Sequence, residues 1–217
     1  MPDFALSHTI FDLETTGTSL ENAQIVEIAA LAPNGDKFHR YVATKLEDSN
    51  EVWKEVCDRS NLDWSVYSQE RQALSGVLQD FLAFIGDTPL AGHNINAFDV
   101  PMLERHLKEV NLTLPDSARA TLDSYRWANL VFPVLPEGLG SYRLGELYTF
   151  FAKLPPSDAH QADADCRYTL EVMRGLAQSH LPRSVLHVWQ YLELPEAQFY
   201  DVTPASKAKL EQILMVS

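Results

Sequence analysis

The chain has 217 residues, of which 46% are hydrophobic and 22% are charged, and its formal net charge is −13 at pH 7. This length predicts one domain with some chain left over, and the near-average composition excludes a disordered or fibrous protein. No apolar run approaches the roughly 20 residues that cross a bilayer, and the N-terminus lacks the basic start and apolar stretch of a signal peptide. We therefore expect a cytoplasmic protein with no membrane association.

Cysteine usage and net charge narrow the kind of site that the chain can hold. Cys57 and Cys166 are the two cysteines, and their wide separation argues against a disulfide framework or a zinc ribbon. Proteins that hold nucleic acid by its phosphates usually have a basic surface, whereas this chain is acidic. If the substrate is a polyanion, cations must help to bind it.

The first part of the chain is predicted to form an antiparallel meander of three strands. TIFDLETTG (9–17) contains the first strand, QIVEIAALAP (24–33) the second and KFHRYVAT (37–44) the third. NGD at 34–36 is a hairpin turn signal between the last two. Residues 45–68 are acidic and irregular, and their pattern predicts no definite element.

Strands alternate with helices along the next part of the chain. Apolar spacing from Glu70 predicts an amphipathic helix that ends before Gly86. The later predictions, in chain order, are a strand at 89–94, a helix at 98–110, a strand at 120–125 and helices at 142–151 and 163–178. Strands first, then strands alternating with helices, indicate a mixed sheet flanked by helices.

Two acids occupy alternate positions of the first strand. Asp12 and Glu14 therefore point to the same face of the sheet. Their neighbours Ile10, Phe11 and Leu13 predict a central, buried strand, where acidic residues are disfavoured. One face of this strand can pack against helices while the other presents two carboxylates.

Two further acids and a histidine stand at the starts of predicted helices. Asp99 opens the helix at 98–110, although this position is equally typical of an ordinary N-cap. Asp165 shares a helical face with Thr169 and Val172, which favours an inward orientation. His160 precedes that helix and, taken alone, is typical of a solvated loop histidine.

Taken together, the four acids predict a site for divalent cations. Hard cations such as Mg²⁺ prefer oxygen ligands, and two such ions would neutralise four carboxylates that otherwise repel one another. Two metals roughly 4 Å apart recur in enzymes that direct water onto a phosphodiester. A neutral histidine near the attacking water can serve as the general base, because its pKa lies close to neutrality.

Three motifs resemble those of a known family: FDLETTG (11–17), GHNINAFDVPML (92–103) and HQADADC (160–166). Their order and spacing are similar to the exonuclease motifs of the DEDDh (DnaQ-like) family, which includes the proofreading subunit of the bacterial replicative polymerase. The resemblance extends from about residue 9 to residue 177. It implies an α/β, ribonuclease H-like fold, in which a mixed five-stranded sheet, an antiparallel meander followed by parallel strands, is flanked by helices.

The resemblance also implies roles for individual residues. Asp12, Glu14, Asp99 and Asp165 would hold two Mg²⁺ or Mn²⁺ ions, with Glu14 also part of the catalytic machinery. His160 would be the general base. Its position five residues before Asp165 matches the histidine subclass of the family.

Substrate contacts are implied within the first and second motifs. Backbone and side chains around Thr15 and Thr16 would contact the 3′ hydroxyl end, and Gly17 would allow the tight turn. Phe98 is a candidate for stacking near the terminal base, and a position in the core is at least as consistent with it.

The implied activity is metal-dependent 3′–5′ exonuclease action on single-stranded nucleic acid, with DNA favoured and nucleoside 5′-monophosphates as products. The alternatives are an exoribonuclease or oligoribonuclease that trims RNA ends, and a non-catalytic module that binds nucleic acid or a partner. We expect the exonuclease domain to span residues 1–180. Residues 181–217 would form a C-terminal helical extension or linker, through which a protein partner or a further domain could be joined.

Overall fold

The computed structural model describes residues 7–44, 53, 56–57, 62–132, 134–157 and 161–179. By its internal contacts the chain divides into Met1–Leu176 and Ala177–Ser217. His160 and the helical patterns predicted within 181–217 lie outside the described residues. The predicted domain boundary at residue 180 stays a prediction.

Five strands form one mixed sheet. They are β1 (Thr9–Thr15), β2 (Ile25–Leu31), β3 (Lys37–Tyr41), β4 (Leu90–Gly92) and β5 (Leu122–Asp123). Their spatial order is β3-β2-β1-β4-β5, so β1 is central. β1, β2 and β3 are antiparallel neighbours, and β4 and β5 run parallel to β1. The predicted meander followed by parallel strands is confirmed.

Helices cover both faces of the sheet. They are α1 (Trp64–Glu70), α2 (Leu74–Ile85), α3 (Asp99–Glu109), α4 (Ser124–Val131), α5 (Leu144–Ala152) and α6 (Ala162–Gln178), with a 3₁₀ turn at Asp116–Arg119. α2 and α3 pack on the face of β1 that carries Phe11 and Leu13. α4, α5 and α6 pack on the face that carries Ile10. None of the helices in the described part of the chain combines the length and apolar character needed to span a bilayer.

The turn between β2 and β3 forms where the NGD signal predicts it. Gly35 has a φ of 91°, a left-handed conformation that favours glycine. The N–H of Asp36 donates to Asn34 Oδ1 at 3.0 Å, and Asn34 Nδ2 donates to Asp36 Oδ2 at 2.7 Å. These local bonds hold the hairpin that places β3 at the edge of the sheet.

The helix predicted from Glu70 begins later, because an extended segment interrupts the helical pattern. Glu70 is the last residue of α1, and Leu74 is the first of α2. Between them, the N–H of Gln72 donates to the carbonyl of Tyr41 at 3.0 Å, and its carbonyl accepts from the N–H of Ala43 at 2.8 Å. This backbone pairing with the end of β3 separates the two helices.

α1 falls mostly in the stretch for which the sequence predicted no element. Its N-cap is Asp63, whose Oδ1 accepts from the N–H groups of Ser65 at 2.8 Å and Val66 at 3.4 Å. Tyr67 is fully buried, and its ring lies 4.8 Å from the ring of Trp53. An aspartate cap and a small aromatic cluster therefore stabilise this short helix.

Candidate active site

The central strand extends past its parallel neighbour. β1 pairs with β4 at Thr9 with Leu90 and at Ile10 with Ala91, and β4 then ends at Gly92. A Cβ on Gly92 would lie 2.9 Å from the carbonyl oxygen of Phe11, so glycine permits this close approach of the two backbones. Asp12 and Glu14 follow the last β1 residue that pairs with β4.

Three carboxylates converge at this end of β1. One oxygen from each of Asp12, Glu14 and Asp165 lies within 4.8 Å of the other two, and all three residues are half-buried. Asp12 and Glu14 reach this point because alternate residues of a strand share a face. Asp165 reaches it from the first turn of α6. The structure thus brings together three of the four predicted metal ligands.

The fourth predicted ligand, Asp99, is not among these three carboxylates, but it lies close enough for its charge to act on Asp12. It is 5% exposed, and its Oδ1 accepts a hydrogen bond from the N–H of Leu13 at 3.2 Å. Asp99 is the first residue of α3, and Phe98 occupies the cap position. The ordinary N-cap reading of Asp99 is therefore wrong, since its carboxylate bonds the neighbouring strand.

α6 presents Asp165 because its inward face is anchored in the core. Thr169, Val172 and Leu176 are buried, as the helical spacing predicts. Cys166 is also buried, and its thiol donates to the carbonyl of Ala29 on β2 at 3.5 Å. The helix start is thereby held against the sheet beside the carboxylates.

Burial and mutual repulsion dominate the electrostatics of the site. Burial raises the pKa of Asp12 well above its usual range, and the charges of Asp99, Asp165, Glu14 and Glu27 raise it further. Each carboxylate makes ionisation of its neighbours less favourable. A cation bound among them would relieve this repulsion.

Asp99 shows the same effect. Burial raises its pKa to about 7, and the charges of Asp123 and Asp165 act in the same direction. The hydrogen bond from the N–H of Leu13 opposes this shift, because it favours the charged carboxylate.

The threonines of the first motif use their hydroxyls within the chain. Thr15 Oγ1 donates to the carbonyl of Gly17 at 2.6 Å, and Thr15 is 6% exposed. Thr16 Oγ1 accepts from the N–H of Gln24 at 2.9 Å, and the backbone N–H of Thr16 donates to the Gln24 carbonyl at 2.9 Å. These bonds order the turn after β1, and contact of Thr15 and Thr16 with substrate stays a prediction.

Phe98 and His160 complete the predicted set of site residues. Phe98 is half-buried and packs against the apolar cluster that contains Phe11 and Leu103. Its stacking on a terminal base stays a prediction. His160 lies outside the described residues, as do the two residues before it, so its role as general base also stays a prediction.

Two buried acids near the site were missed at the level of sequence. Glu27, 3% exposed, lies directly opposite Glu14 on β2, and its Oε1 lies 2.7 Å from His39 Nε2. Asp123, 4% exposed, caps α4. A glutamate inside the apolar run QIVEIAAL and an aspartate before the helical run SYRWANLV were signals that could have identified them.

Comparison with known proteins decides the family. Residues 9–173 match the family model RNase_T, described as "Exonuclease". The chain belongs to this exonuclease family. It is 29% identical over 176 residues to DNA polymerase III subunit epsilon of Treponema pallidum, covering 81% of this chain and 78% of that protein. It is 25% identical over 228 residues to the 3′-5′ exonuclease DinG of Staphylococcus aureus strain USA300, covering 96% of this chain and 24% of that protein.

A solved structure shares the fold of this chain. E. coli exonuclease I in complex with a dT13 oligonucleotide superposes with a TM-score of 0.67 at 18% sequence identity. The match covers 84% of this chain and 43% of that chain. The chain thus spans less than half the length of both exonuclease I and DinG.

The acidic set fits the divalent-metal dependence of the exonuclease family. Asp12, Glu14 and Asp165 offer carboxylate oxygens within 4.8 Å of one another, which are the donors that hard divalent cations prefer. Burial and the charges of the neighbouring acids raise the pKa of Asp12, and a bound cation would favour the ionised carboxylates. The donor chemistry and the electrostatics therefore both suit a divalent ion.

Proposed function

We propose that this chain is a 3′–5′ exonuclease that requires Mg²⁺ or Mn²⁺ and acts on single-stranded DNA. It hydrolyses the phosphodiester bond at the 3′ end and releases nucleoside 5′-monophosphates. Its relatives, a polymerase III epsilon subunit and the exonuclease DinG, and its structural neighbour with bound dT13 support DNA as the substrate.

The convergence of Asp12, Glu14 and Asp165 is the observation on which this proposal rests. Two of these carboxylates come from the central strand and the third from α6, so the fold itself keeps them together. Such a set has no stabilising role without a cation, because like charges at this distance repel. Two-ion binding, with Asp99 as the fourth ligand, accounts for all four acids.

The chain's own residues would divide the work of hydrolysis. Asp12, Glu14, Asp99 and Asp165 hold the ions, which when bound stabilise charge on the phosphate and lower the pKa of the attacking water. His160 accepts the proton of that water at a ring nitrogen, since a neutral imidazole is available near pH 7. Backbone around Thr15 and Thr16 aligns the 3′ end, and Phe98 supports the terminal base.

The proposal is tested by digestion of 5′-labelled single-stranded DNA and RNA oligomers of matched sequence, in Mg²⁺, in Mn²⁺ or with chelator. We expect a ladder that shortens from the 3′ end, requires metal and forms faster on DNA. Asp12→Ala and His160→Ala should each abolish it. Asp80→Ala is the matched control, because Asp80 is exposed on α2, which covers the opposite face of the sheet.

Four outcomes would contradict the proposal. Products that persist in chelator, or that form equally in Asp12→Ala, would place the activity outside the carboxylate set. Faster shortening of RNA than of DNA would support the exonuclease mechanism but show that RNA is the preferred substrate. Binding of oligomers without turnover in Mn²⁺ would favour a non-catalytic module.

A further inference from the structure

The turn between β4 and α3 is tied to a buried aspartate on the neighbouring strand. Asp123 Oδ1 accepts from the N–H of Asn94 at 2.9 Å, and its Oδ2 accepts from the N–H of Asn96 at 3.3 Å. Asn94 has a φ of 60°, so a residue other than glycine adopts a left-handed backbone conformation in this turn. Three residues after Asn96 the chain reaches Asp99.

The same carboxylate also caps a helix. Asp123 Oδ1 accepts from the N–H groups of Tyr125 at 3.0 Å and Arg126 at 3.4 Å, at the start of α4. The guanidinium Nε of Arg126 lies 3.7 Å from Oδ2. One buried side chain therefore accepts from four backbone N–H groups that belong to two separate segments.

Neighbouring contacts reinforce this tie. His93 Nδ1 and Ser124 Oγ lie 2.8 Å apart, and Thr121 Oγ1 donates to Asn96 Oδ1 at 2.6 Å. The first contact joins this turn to the start of α4, and the second joins it to the residue before β5. The segment that delivers Asp99 is thus fixed at both ends, by the strand to which Asp99 bonds and by Asp123.

Among the described residues, Asp63 is an aspartate cap that bonds the N–H groups of its own helix and of no other segment. It accepts from the N–H groups two and three residues ahead, at 2.8 Å and 3.4 Å, just as Asp123 does at 3.0 Å and 3.4 Å. Asp63 is part of an exposed cap, whereas Asp123 is 4% exposed. The bonds to Asn94 and Asn96 are what distinguish Asp123.

We propose that Asp123 is a positioning residue that orders the turn 93–98 and thereby places Asp99 to complete the metal site. This inference rests on the proposed role of Asp99 as a metal ligand. Loss of a residue that orients metal ligands typically weakens metal affinity by roughly 10- to 100-fold.

Asp123→Asn keeps the helix cap and breaks one of the two bonds to the turn, the bond from Asn96. The amide oxygen can replace Oδ1 and keep the bonds from Asn94, Tyr125 and Arg126. The amide nitrogen then replaces Oδ2, where it meets the N–H of Asn96 as a second donor. Asp63→Asn is the matched control, since it makes the same exchange at a cap that bonds its own helix only.

The experiment measures Mn²⁺ binding to the full chain by the loss of the free-ion EPR signal, at a temperature well below unfolding. We expect Asp123→Asn to raise the Kd for Mn²⁺ roughly tenfold and Asp63→Asn to leave it within about twofold. Exonuclease activity of Asp123→Asn should recover in part when Mn²⁺ is raised by the same factor.

A double variant tests whether Asp123 acts through Asp99. If it does, Asp99→Asn combined with Asp123→Asn binds Mn²⁺ no more weakly than Asp99→Asn alone. Equal Kd values for Asp123→Asn and Asp63→Asn, full additivity in the double variant, or no Mn²⁺ binding by the wild type would each overturn the positioning role. A wild type that binds Mn²⁺ without releasing nucleotides would instead refute the proposed function, and the Kd comparison would still decide the role of Asp123.

Discussion

The two faces of the sheet are formed by the same strands, but one face is apolar along β1 and the other changes from apolar to acidic residues. On one face, which we call the apolar face, Phe11 and Leu13 of β1 pack under α2 and α3. On the other, which we call the carboxylate face, Ile10 packs under α4, α5 and α6, and the next two inward positions of β1 are Asp12 and Glu14. A single strand therefore supplies both a continuous core and the start of a charged site.

This difference indicates a division of work between stability and function. On the apolar face the ring of Phe81 contacts those of Phe11 and Phe38, with centroid distances of 5.8 Å and 5.6 Å. It resembles the interior of any stable domain. The carboxylate face gives up part of its apolar packing to place like charges together, so we expect its stability to depend on pH and on cations.

Removal of an aromatic ring from the apolar face should give the largest loss of stability. Phe81 is fully buried between Phe11 and Phe38. We expect Phe81→Ala to lower the free energy of unfolding by about 3–5 kcal/mol, because a cavity replaces the ring. Urea unfolding measures this loss. The Kd of the folded protein for Mn²⁺ should stay unchanged, and a parallel loss of Mn²⁺ binding would show that the two faces do not act separately.

The carboxylate face should respond to pH in the opposite sense to carboxylates whose pKa is lowered by an ion pair or hydrogen bonds. The pKa of Asp99 is about 7 in the metal-free fold and about 4 in an unfolded chain, so the folded state binds more protons between these values. Stability without metal should therefore fall as pH rises from about 4 to about 7. Asp99→Asn should reduce this fall, with the contribution of Asp12 remaining, and raise the free energy of unfolding at pH 8 by ~2–4 kcal/mol.

Unfolding with chelator across this pH range tests the expectation. Asp80→Asn, on an exposed position of α2, should follow the wild-type pH profile. Added Mg²⁺ should flatten the wild-type profile, because the cation favours the ionised carboxylates. A wild-type profile that is already flat in chelator would mean that Asp99 is not strained by its surroundings.

Glycine positions in α6 and α2 show how tightly the helices pack on the two faces. A Cβ on Gly175 in α6 would lie 2.3 Å from the ring of Phe151, whereas a Cβ on Gly76 in α2 would meet nothing within 4 Å. Gly175→Ala should lower stability by about 1–3 kcal/mol through overpacking. Gly76→Ala should raise it by about 0.5–1 kcal/mol, because alanine is the better helix former. Thermal unfolding of both variants measures the difference, and equal shifts would contradict the tight packing of α6 on α5.

Much of this arrangement could be predicted from local patterns. The period-two alternation of β1 placed Asp12 and Glu14 on one face, and the helical spacing of Asp165 with Thr169 and Val172 indicated its inward side. Both depend on the geometry of one element, which the sequence expresses directly. The hairpin at Gly35 is equally local.

Contacts between distant segments could not be predicted in this way. The partner of Asp99 is the N–H of Leu13, 86 positions earlier, and the N–H of Asn94 donates to Asp123, 29 positions later. The pairing of Gln72 with the end of β3 likewise breaks a helical pattern that looks continuous in the sequence. Each depends on which strands become neighbours, so an aspartate that resembles an ordinary cap can have another task.

The smallest expected effect concerns the outer edge of the carboxylate face. His39 lies 2.7 Å from the buried Glu27, and this hydrogen bond raises the pKa of His39 although burial opposes the shift. A raised histidine pKa stabilises the fold fully below about pH 6.5, and this contribution disappears as pH rises through the folded-state pKa.

His39→Gln keeps a donor for Glu27 but removes the charge. Because the His39 side chain is 38% exposed, we expect a loss of only about 0.5–1 kcal/mol at pH 6 and almost none at pH 9, measured by urea unfolding. An equal loss at both pH values would mean that shape, and not charge, holds this pair. Since Glu27 lies opposite Glu14, a charge-dependent loss would show that even the border of the carboxylate face needs a cationic partner, which the apolar face never does.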